Sequence, residues 1–599
     1  MTSSTYQAEV AARTEQILHA AHESGSDRSL WGAHALMPHK PAAAEIVEIV
    51  RNHLWRKTDS PASGLLGGPF EILPCMLLLC RWEHELPTEA TALIRDFMTQ
   101  AHLERGNTEN HWLMAYGGML LAAERWPDAD FAWSGLRAAA IAAEATRWIS
   151  GIIERSAVQG HHEYDSTGYH IEHMTAYIGL YEHAHSAELR AQIENMLTLL
   201  VADMALEYFN GAWAGGHSRE GYRQNTWTRL GPIQPLQYLY FGGIDFDHIA
   251  HTHGFAIPSV VASYRPPALF AEMAWDRAKA HVVKKTKAPR TIYRHAREIA
   301  RPVRKYTYMS RSFALGSTQL GLPGTQCGPI DLTAWDLTWD GPNHQAIVAC
   351  NHPYNSPDRF SAFLHGFPQH IGRSIATGKP YLQWPDRLFG ASPYERMLQH
   401  EGGIVVLYDI PQRDAHPFVN IFLPHGQTWS ERGGWIFADA GDFHIGLYAI
   451  GPYEWTDILE ANNANILVRE GDLIDGWLLR IHSRTAGLVV EVVEADEVES
   501  FAHFCRQRVA LVPDLSGWPD DKRVQVQTTA GHALDITHDG AHRVDGEEVD
   551  YDAYPLYAAP GVEAPLGTGR VKFAKNGDEV AVDFGIDPNK PLLPMRVIG

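Results

Sequence analysis

The sequence predicts a multidomain chain, α then β: an N-terminal (α/α) toroid of helical hairpins, an antiparallel β-sandwich, and a small C-terminal β unit. Three observations lead there. The 599 residues are too many for one hydrophobic core. Apolar residues recur at helical spacing from about residue 5 to 280, with no strand between. After residue 306 the pattern changes to period two and to short apolar runs. The boundaries that follow are 1–283 for the toroid, 284–305 for a basic linker, 306–500 for the sandwich and 501–599 for the C-terminal unit.

In the helical half, Ile46, Ile49, Val50 and Leu54 fall on one face, as do Leu189, Ile193, Met196, Leu197, Leu200 and Val201. Further helices are expected near 70–82, 88–103, 110–125, 131–156, 170–185 and 258–282, with Pro or Gly at the joins. Helix after helix at similar spacing is the pattern of stacked αα-hairpins. Closed, they make a toroid; open, a solenoid. Residues 284–305, KKTKAPRTIYRHAREIARPVRK, are a basic run in an acidic protein. Charge patterning reads them as a solvated interdomain strut; the alternative is a positive lip beside an anionic substrate. Strands follow, among them Ala346–Ala349, Gly403–Tyr408, Trp435–Phe437, Phe443–Tyr448 and Gly487–Val493. Residues 501–508 read as a short helix, and Leu534–Ile536, Arg543–Gly546 and Val580–Phe584 as a last β unit.

Composition narrows the function. A formal charge of -21 disfavours general nucleic-acid or anionic-membrane binding, although a local basic cleft is compatible with an anionic polysaccharide. The 18 Trp offer flat faces to sugar rings and the 33 His offer proton transfer, while most of the Trp fill the core. Five Cys without a C-x-x-C pair exclude a disulfide scaffold and a Cys-based zinc site. There is no apolar leader and no membrane-spanning run, so the expected location is the cytoplasm, where a glycan, if that is the substrate, would arrive as short imported pieces.

Four polar clusters are candidates for chemistry. In Gly106–Trp112, Asn107 or Thr108 caps a helix whose first turn carries Asn110 and His111. Amide and imidazole donors there can hold a carboxylate; the plainer reading is a capping box with a satisfied His. The second cluster, His161–His170 leading into Glu172, His173 and Tyr177, places Tyr169, His173 and Tyr177 on one helix face. A phenol is a poor base near pKa 10 unless cations stabilise its anion, and Arg219, Arg223 or His170 could do so. The plainer reading is a polar network between hairpins. The third cluster, Gly215–Trp227, carries Arg219, Tyr222 and Arg223, whose guanidinium forks suit carboxylates or ordinary surface ion pairs. The fourth is Asn343-His344 and Asn351-His352, turn residues from which one His could reach the cleft.

These clusters resemble the polysaccharide lyases built from an (α/α) toroid and an antiparallel β-sandwich, heparinase II/III-like and related alginate lyases. Glu109-Asn110-His111-Trp112 is similar to the helix start that neutralises a uronate carboxylate there. Glu163-x-x-Ser166-x-x-Tyr169-His170 is similar to the stretch whose Tyr is catalytic, with Glu163 one residue further from Ser166. The family's His-x-His-x-Asp stretch in the sheet domain is absent unless Asn343-His344 or Asn351-His352 replaces it. The resemblance implies β-elimination: Asn110, His111 and Arg223 neutralise the carboxylate, Tyr169 moves the proton, and His344 assists. Trp112, His162, Glu163, His170, His173, Arg219, Tyr222 and His352 would contact substrate. It requires no cofactor and is compatible with a structural divalent metal, zinc or calcium, and with a homo-oligomer. Two alternatives stay open. One is a toroid-type glycoside hydrolase using paired carboxylates from Glu109, Glu163, Asp165, Glu172 and Glu220; the other is a non-catalytic glycan-binding helical-repeat protein.

Overall fold

The computed structural model describes residues 3–54, 66–106, 108–132, 134–218, 231–243, 246, 254–288, 302–319, 333–341, 347–354, 385, 392–457 and 476–593. Helices come first: α1 (Ser3–Glu23), α2 (Ala43–Leu54), α3 (Pro69–Trp82), α4 (Thr88–Gln100), α5 (Glu109–Arg125), α6 (Ala138–Gln159), α7 (His170–His183), α8 (Ala187–Leu206), α9 (Gln234–Phe241) and α10 (Leu269–Ala274). The periodic faces bury as expected; Ile46, Ile49, Val50 and Leu54 all enter the core. Ser186 starts α8, its hydroxyl accepting the Leu189 N–H at 3.2 Å. The first helix packs against α9 and Ile257–Val260, so the array closes on itself as a toroid rather than running open. From His170 to Leu180 every residue of α7 is buried, as a helix enclosed on all sides must be. The single helix expected over 258–282 does not form. Pro266-Pro267 removes two backbone donors, leaving Ile257–Val260 and α10, and the chain is already a strand by His281.

Beyond α10 lie two large antiparallel sheets. The strands are β1 (His281–Lys287), β2 (Val303–Met309), β3 (Phe313–Gln319), β4 (Trp335–Trp339), β5 (Ile347–Asn351), β6 (Glu395–His400), β7 (Gly403–Asp409), β8 (Val419–Pro424), β9 (Trp429–Arg432), β10 (Trp435–Asp439), β11 (Phe443–Ile450), β12 (Tyr453–Asp457), β13 (Gly476–Ile481) and β14 (Thr485–Glu494). Helix α11 (Phe501–Ala510) follows, then β15 (Arg523–Gln527), β16 (Ala533–Thr537), β17 (His542–Val544), β18 (Glu547–Glu548), β19 (Tyr557–Ala559), β20 (Val562–Ala564), β21 (Arg570–Lys575) and β22 (Asp578–Asp583). The larger sheet runs β12-β13-β8-β5-β4-β3-β2-β1-β19-β20-β21-β22, and the smaller β6-β7-β14-β11-β10-β9. Ile404, Val406 and Tyr408 of β7 face the larger sheet. Val405 and Leu407 face α11 and the sheet β15–β18. Burial on both faces explains why Gly403–Tyr408 reads as an unbroken apolar run.

Two expected boundaries change. Residues 501–599 are not one unit: α11 and β15–β18 cover the smaller sheet, while β19–β22 extend the larger one along the helices. The split follows from which surface each strand covers, which its own sequence does not state. The basic run is no solvated strut over its described residues. Its ends belong to β1 and β2, paired with Lys285 opposite Lys305, and Lys285, Lys287 and Lys305 are fully buried. Among the described residues no helix is long and apolar enough to cross a membrane.

Gly160 is a point of close backbone approach between the helical and sheet halves. It ends α6 at φ 89°, ψ 162°, and a Cβ there would lie 2.0 Å from the Thr286 carbonyl oxygen on β1. Gly160→Ala is therefore expected to lower the denaturation midpoint. Its backbone conformation alone costs about 1–3 kcal/mol, before β1 moves aside. A denaturant titration followed by circular dichroism measures it; an unchanged midpoint would contradict this packing.

Candidate active site

The segment between α6 and α7 is buried almost throughout, from His161 to Ser166 and again from Gly168. Asp165 turns it at φ 50°. Ser166 then organises the helix entry: its hydroxyl accepts the Tyr169 N–H at 3.0 Å and its carbonyl accepts the His170 N–H at 3.0 Å. Helix α7 begins at His170, so Tyr169 stands at its N-cap rather than inside it. The face expected for Tyr169, His173 and Tyr177 thus begins one residue late.

Glu163 joins this segment to α5. Thr108 occupies the N-cap of α5 but makes no side-chain cap bond. Instead, one Glu163 carboxylate oxygen accepts the Asn110 backbone N–H at 3.0 Å and the Asn110 side-chain amide at 2.7 Å. The same oxygen accepts from His173 Nε2 at 3.0 Å. An anion placed on the free N–H groups of a helix start is favoured by geometry and by the helix dipole. Glu163, Asn110 and His173 are all 0% exposed.

The third segment closes on the same loop. Ser218 N–H donates to the Tyr164 carbonyl at 3.0 Å, and His217 Nδ1–H to the Asp165 carbonyl at 2.9 Å. Gly215, at φ 89°, brings its N–H within 2.8 Å of Asp336 on β4, and His217 pairs with Thr333 as an isolated bridge. Burial raises the Asp336 carboxyl above its ordinary range, with His217 Nε2 3.4 Å away. Beside them is a polar cavity of about 20 Å³ between Thr167, Trp213, His217, Gln234 and Asp336, room for about one water.

Beneath the loop lies a closed set of buried charges. Lys285 and Lys305 each reach Glu207 at 2.7 Å, and Lys305 also pairs with Asp165. Lys287 pairs with Asp203 and lies 3.4 Å from Asp165. All six side chains are 0% exposed. Burial alone would raise the Asp165 carboxyl; the three lysine ammonium groups outweigh it and hold Asp165 well below the carboxylate range. Glu207 is lowered against burial by Lys285 and Lys305, whereas burial wins at Asp203 and raises it. Two like charges opposite each other on β1 and β2 are tolerable only because these carboxylates lie between them.

No protein-family model matches the chain, and no curated protein does. Solved structures similar to it include heparinase III. That crystal structure shares 11% identity at a TM-score of 0.41, covering 85% of this chain and 81% of that one. Another is a mutant of the heparan sulfate lyase HepC from Pedobacter heparinus, with 10% identity, a TM-score of 0.35, and coverage of 94% and 83%.

The candidate residues divide. Asn110, Glu163 and His173 form one network, with Tyr169 and His170 on the same segment. One residue turns a helix by about 100°, and His111 faces elsewhere on the helix surface, against Gly106 and Phe70. Trp112 donates to the Gly106 carbonyl at 3.1 Å and packs under Arg105 and beside Trp148. His170 gives its Nε2–H to the Leu200 carbonyl at 3.2 Å. Burial, with help from His173, lowers its pKa to about 3, so it is uncharged at neutral pH and offers no cation to a phenolate. His162 is fully buried within the histidine group. His352 donates Nε2–H to the His416 carbonyl at 2.9 Å and takes Ser392 on Nδ1 at 3.1 Å, which leaves no ring nitrogen for a metal. His344, Arg219, Glu220, Tyr222 and Arg223 lie outside the described residues.

Sequence reasoning passed over Lys285, Lys287, Lys305, Asp203 and Glu207. A signal existed: Ile193, Met196, Leu200, Asp203 and Glu207 continue a 3, 4, 3, 4 spacing, so two acids sit on an apolar stripe. His161 and His217 stood inside recognised clusters without an assigned role.

Proposed function

We propose that this chain is a lyase that cleaves uronate-containing oligosaccharides by β-elimination, centred where Asn110, the 161–173 segment and His217-Ser218 meet. One observation carries the reading. Three stretches far apart in sequence are hydrogen-bonded into one place, through Glu163 on one side and the Tyr164 and Asp165 carbonyls on the other. Elimination needs donors on the uronate carboxylate, so that charge spreads onto it as the C5 proton leaves, and a group to move that proton. Asn110 is the amide donor in this reading, through the second N–H of the amide that already gives one to Glu163, and Tyr169 is the proton carrier. With His170 neutral, the cation that lowers the phenol falls to Arg219 or Arg223.

The hydrolase reading requires two carboxyls free to act across a sugar. Glu163 is held by Asn110 and His173, and Asp165 by three lysines, so that alternative would have to draw its pair from Glu109, Glu172 and Glu220. The test is a panel of uronate oligosaccharides read by ultraviolet absorbance and mass. A lyase gives an unsaturated product and fragments whose masses sum to the substrate without added water. Saturated reducing ends point to hydrolysis, and no cleavage of any member to a binding protein. In the same assay, Asn110→Ala is expected to lower kcat/KM roughly a hundredfold, the usual effect of losing one such donor. A drop of less than threefold removes Asn110 from the chemistry.

A further inference from the structure

We infer that His161, His162 and His173 bind a borderline transition-metal dication, zinc(II) in kind, at the foot of α7. The candidate ring nitrogens lie within 4.8 Å of one another, and all three side chains are buried. The ring centroids are 4.6 Å apart for His161 and His173, 4.7 Å for His161 and His162, and 5.4 Å for His162 and His173. Zinc–nitrogen bonds of about 2.0–2.1 Å would require the rings to draw closer together on binding.

Two features separate this group from a packed histidine cluster. Among the described residues, both ring nitrogens of His161 and Nδ1 of His173 are buried without a hydrogen-bond partner. Such groups carry their full desolvation penalty unless a bound group satisfies them. His173 is also already oriented. Its Nε2–H is given to Glu163 at 3.0 Å, which leaves Nδ1 as the nitrogen carrying the lone pair, and Glu163 is itself held by Asn110. A carboxylate behind a ligating imidazole fixes its tautomer and raises its basicity. Lys287, whose charge reaches His161, is closed by Asp203 and Asp165. Three nitrogen donors and no oxygen cage suit zinc, cobalt or nickel and disfavour calcium and magnesium. The position lies in the helical half, away from His352 in the sheets.

The inference does not depend on the reaction proposed above, because metal is read by binding alone. The full chain is stripped with chelator, then titrated with Co²⁺ and Zn²⁺, with visible absorption, metal analysis and thermal melting as readouts. Expected are one tightly held ion per chain, the visible bands of four-coordinate cobalt without thiolate charge transfer, and a higher Tm with metal. His161→Gln and His173→Gln abolish stoichiometric binding, and Glu163→Gln weakens it about 10- to 100-fold. The half-exposed trio His400, Glu401 and His532 provides the control, since His532 Nδ1 is already paired with Asp545 at 2.8 Å. The double variant His400→Ala/His532→Ala keeps the ion. Should the buried-site variants fail to fold, the native chain and this double variant still decide. No retained ion in the native chain overturns the proposal, and so does its loss in the double variant.

Discussion

Lys305→Met will destabilise the chain by about 3–5 kcal/mol, the range for breaking one partner out of a buried ion pair. Lys305 touches both Asp165 and Glu207, and every member of the set is enclosed. Methionine keeps the stem and removes only the charge, so the loss does not arise from a cavity. It arises from carboxylates left short of a cation where water cannot replace it. Urea titration followed by near-ultraviolet circular dichroism measures the effect; a loss under about 1 kcal/mol would mean that solvent reaches the set. The same charges set an acid limit. Asp165 and Glu207 are lowered in the folded chain, so their contribution is fully present above the unfolded carboxylate values, near 4. It falls as the pH drops through the folded ones. Asp203 is raised and has the opposite sign, which blunts the fall without reversing it. Native stability should therefore decline below about pH 4, and more shallowly in Lys305→Met, which starts lower.

The second large effect concerns rate. Tyr169→Phe is expected to reduce kcat by more than a hundredfold, with KM nearly unchanged and the circular dichroism spectrum retained, because the proton carrier is lost while the binding groups stay. The substitution is clean at the backbone. The bond from Ser166 is to the Tyr169 N–H, not to its side chain, so phenylalanine keeps that turn. Activity within a few-fold of native would transfer the proton to another group and remove the main reason to place the chemistry at α7.

Much of this architecture was written in local patterns. The stripe Ile46, Ile49, Val50, Leu54 told which face of α2 buries, and Gly403–Tyr408 announced a strand, which the structure covers on both sides. The density of polar groups in 106–112 and 161–173 marked both segments as candidates, and Glu163 does tie Asn110 to His173. Other features were not local. Pro266-Pro267 could have been weighed against the helix expected at 258–282; that signal was present. By contrast, nothing within 284–305 distinguishes a solvated lysine from one enclosed by carboxylates. Asp165 lies 140 residues from Lys305 in the chain, and Glu207 lies 98.

By itself the sequence determined the period of each element, hence helices first and sheets after, because periodicity is a property of neighbouring residues. The tertiary structure decided what covers each face: which lysines lose water, which strands of 501–599 join which sheet, and that Asn110 meets Glu163 while His111 packs on Phe70. Those outcomes depend on surfaces supplied from distant parts of the chain, and burial and charge compensation exist only once the surfaces meet.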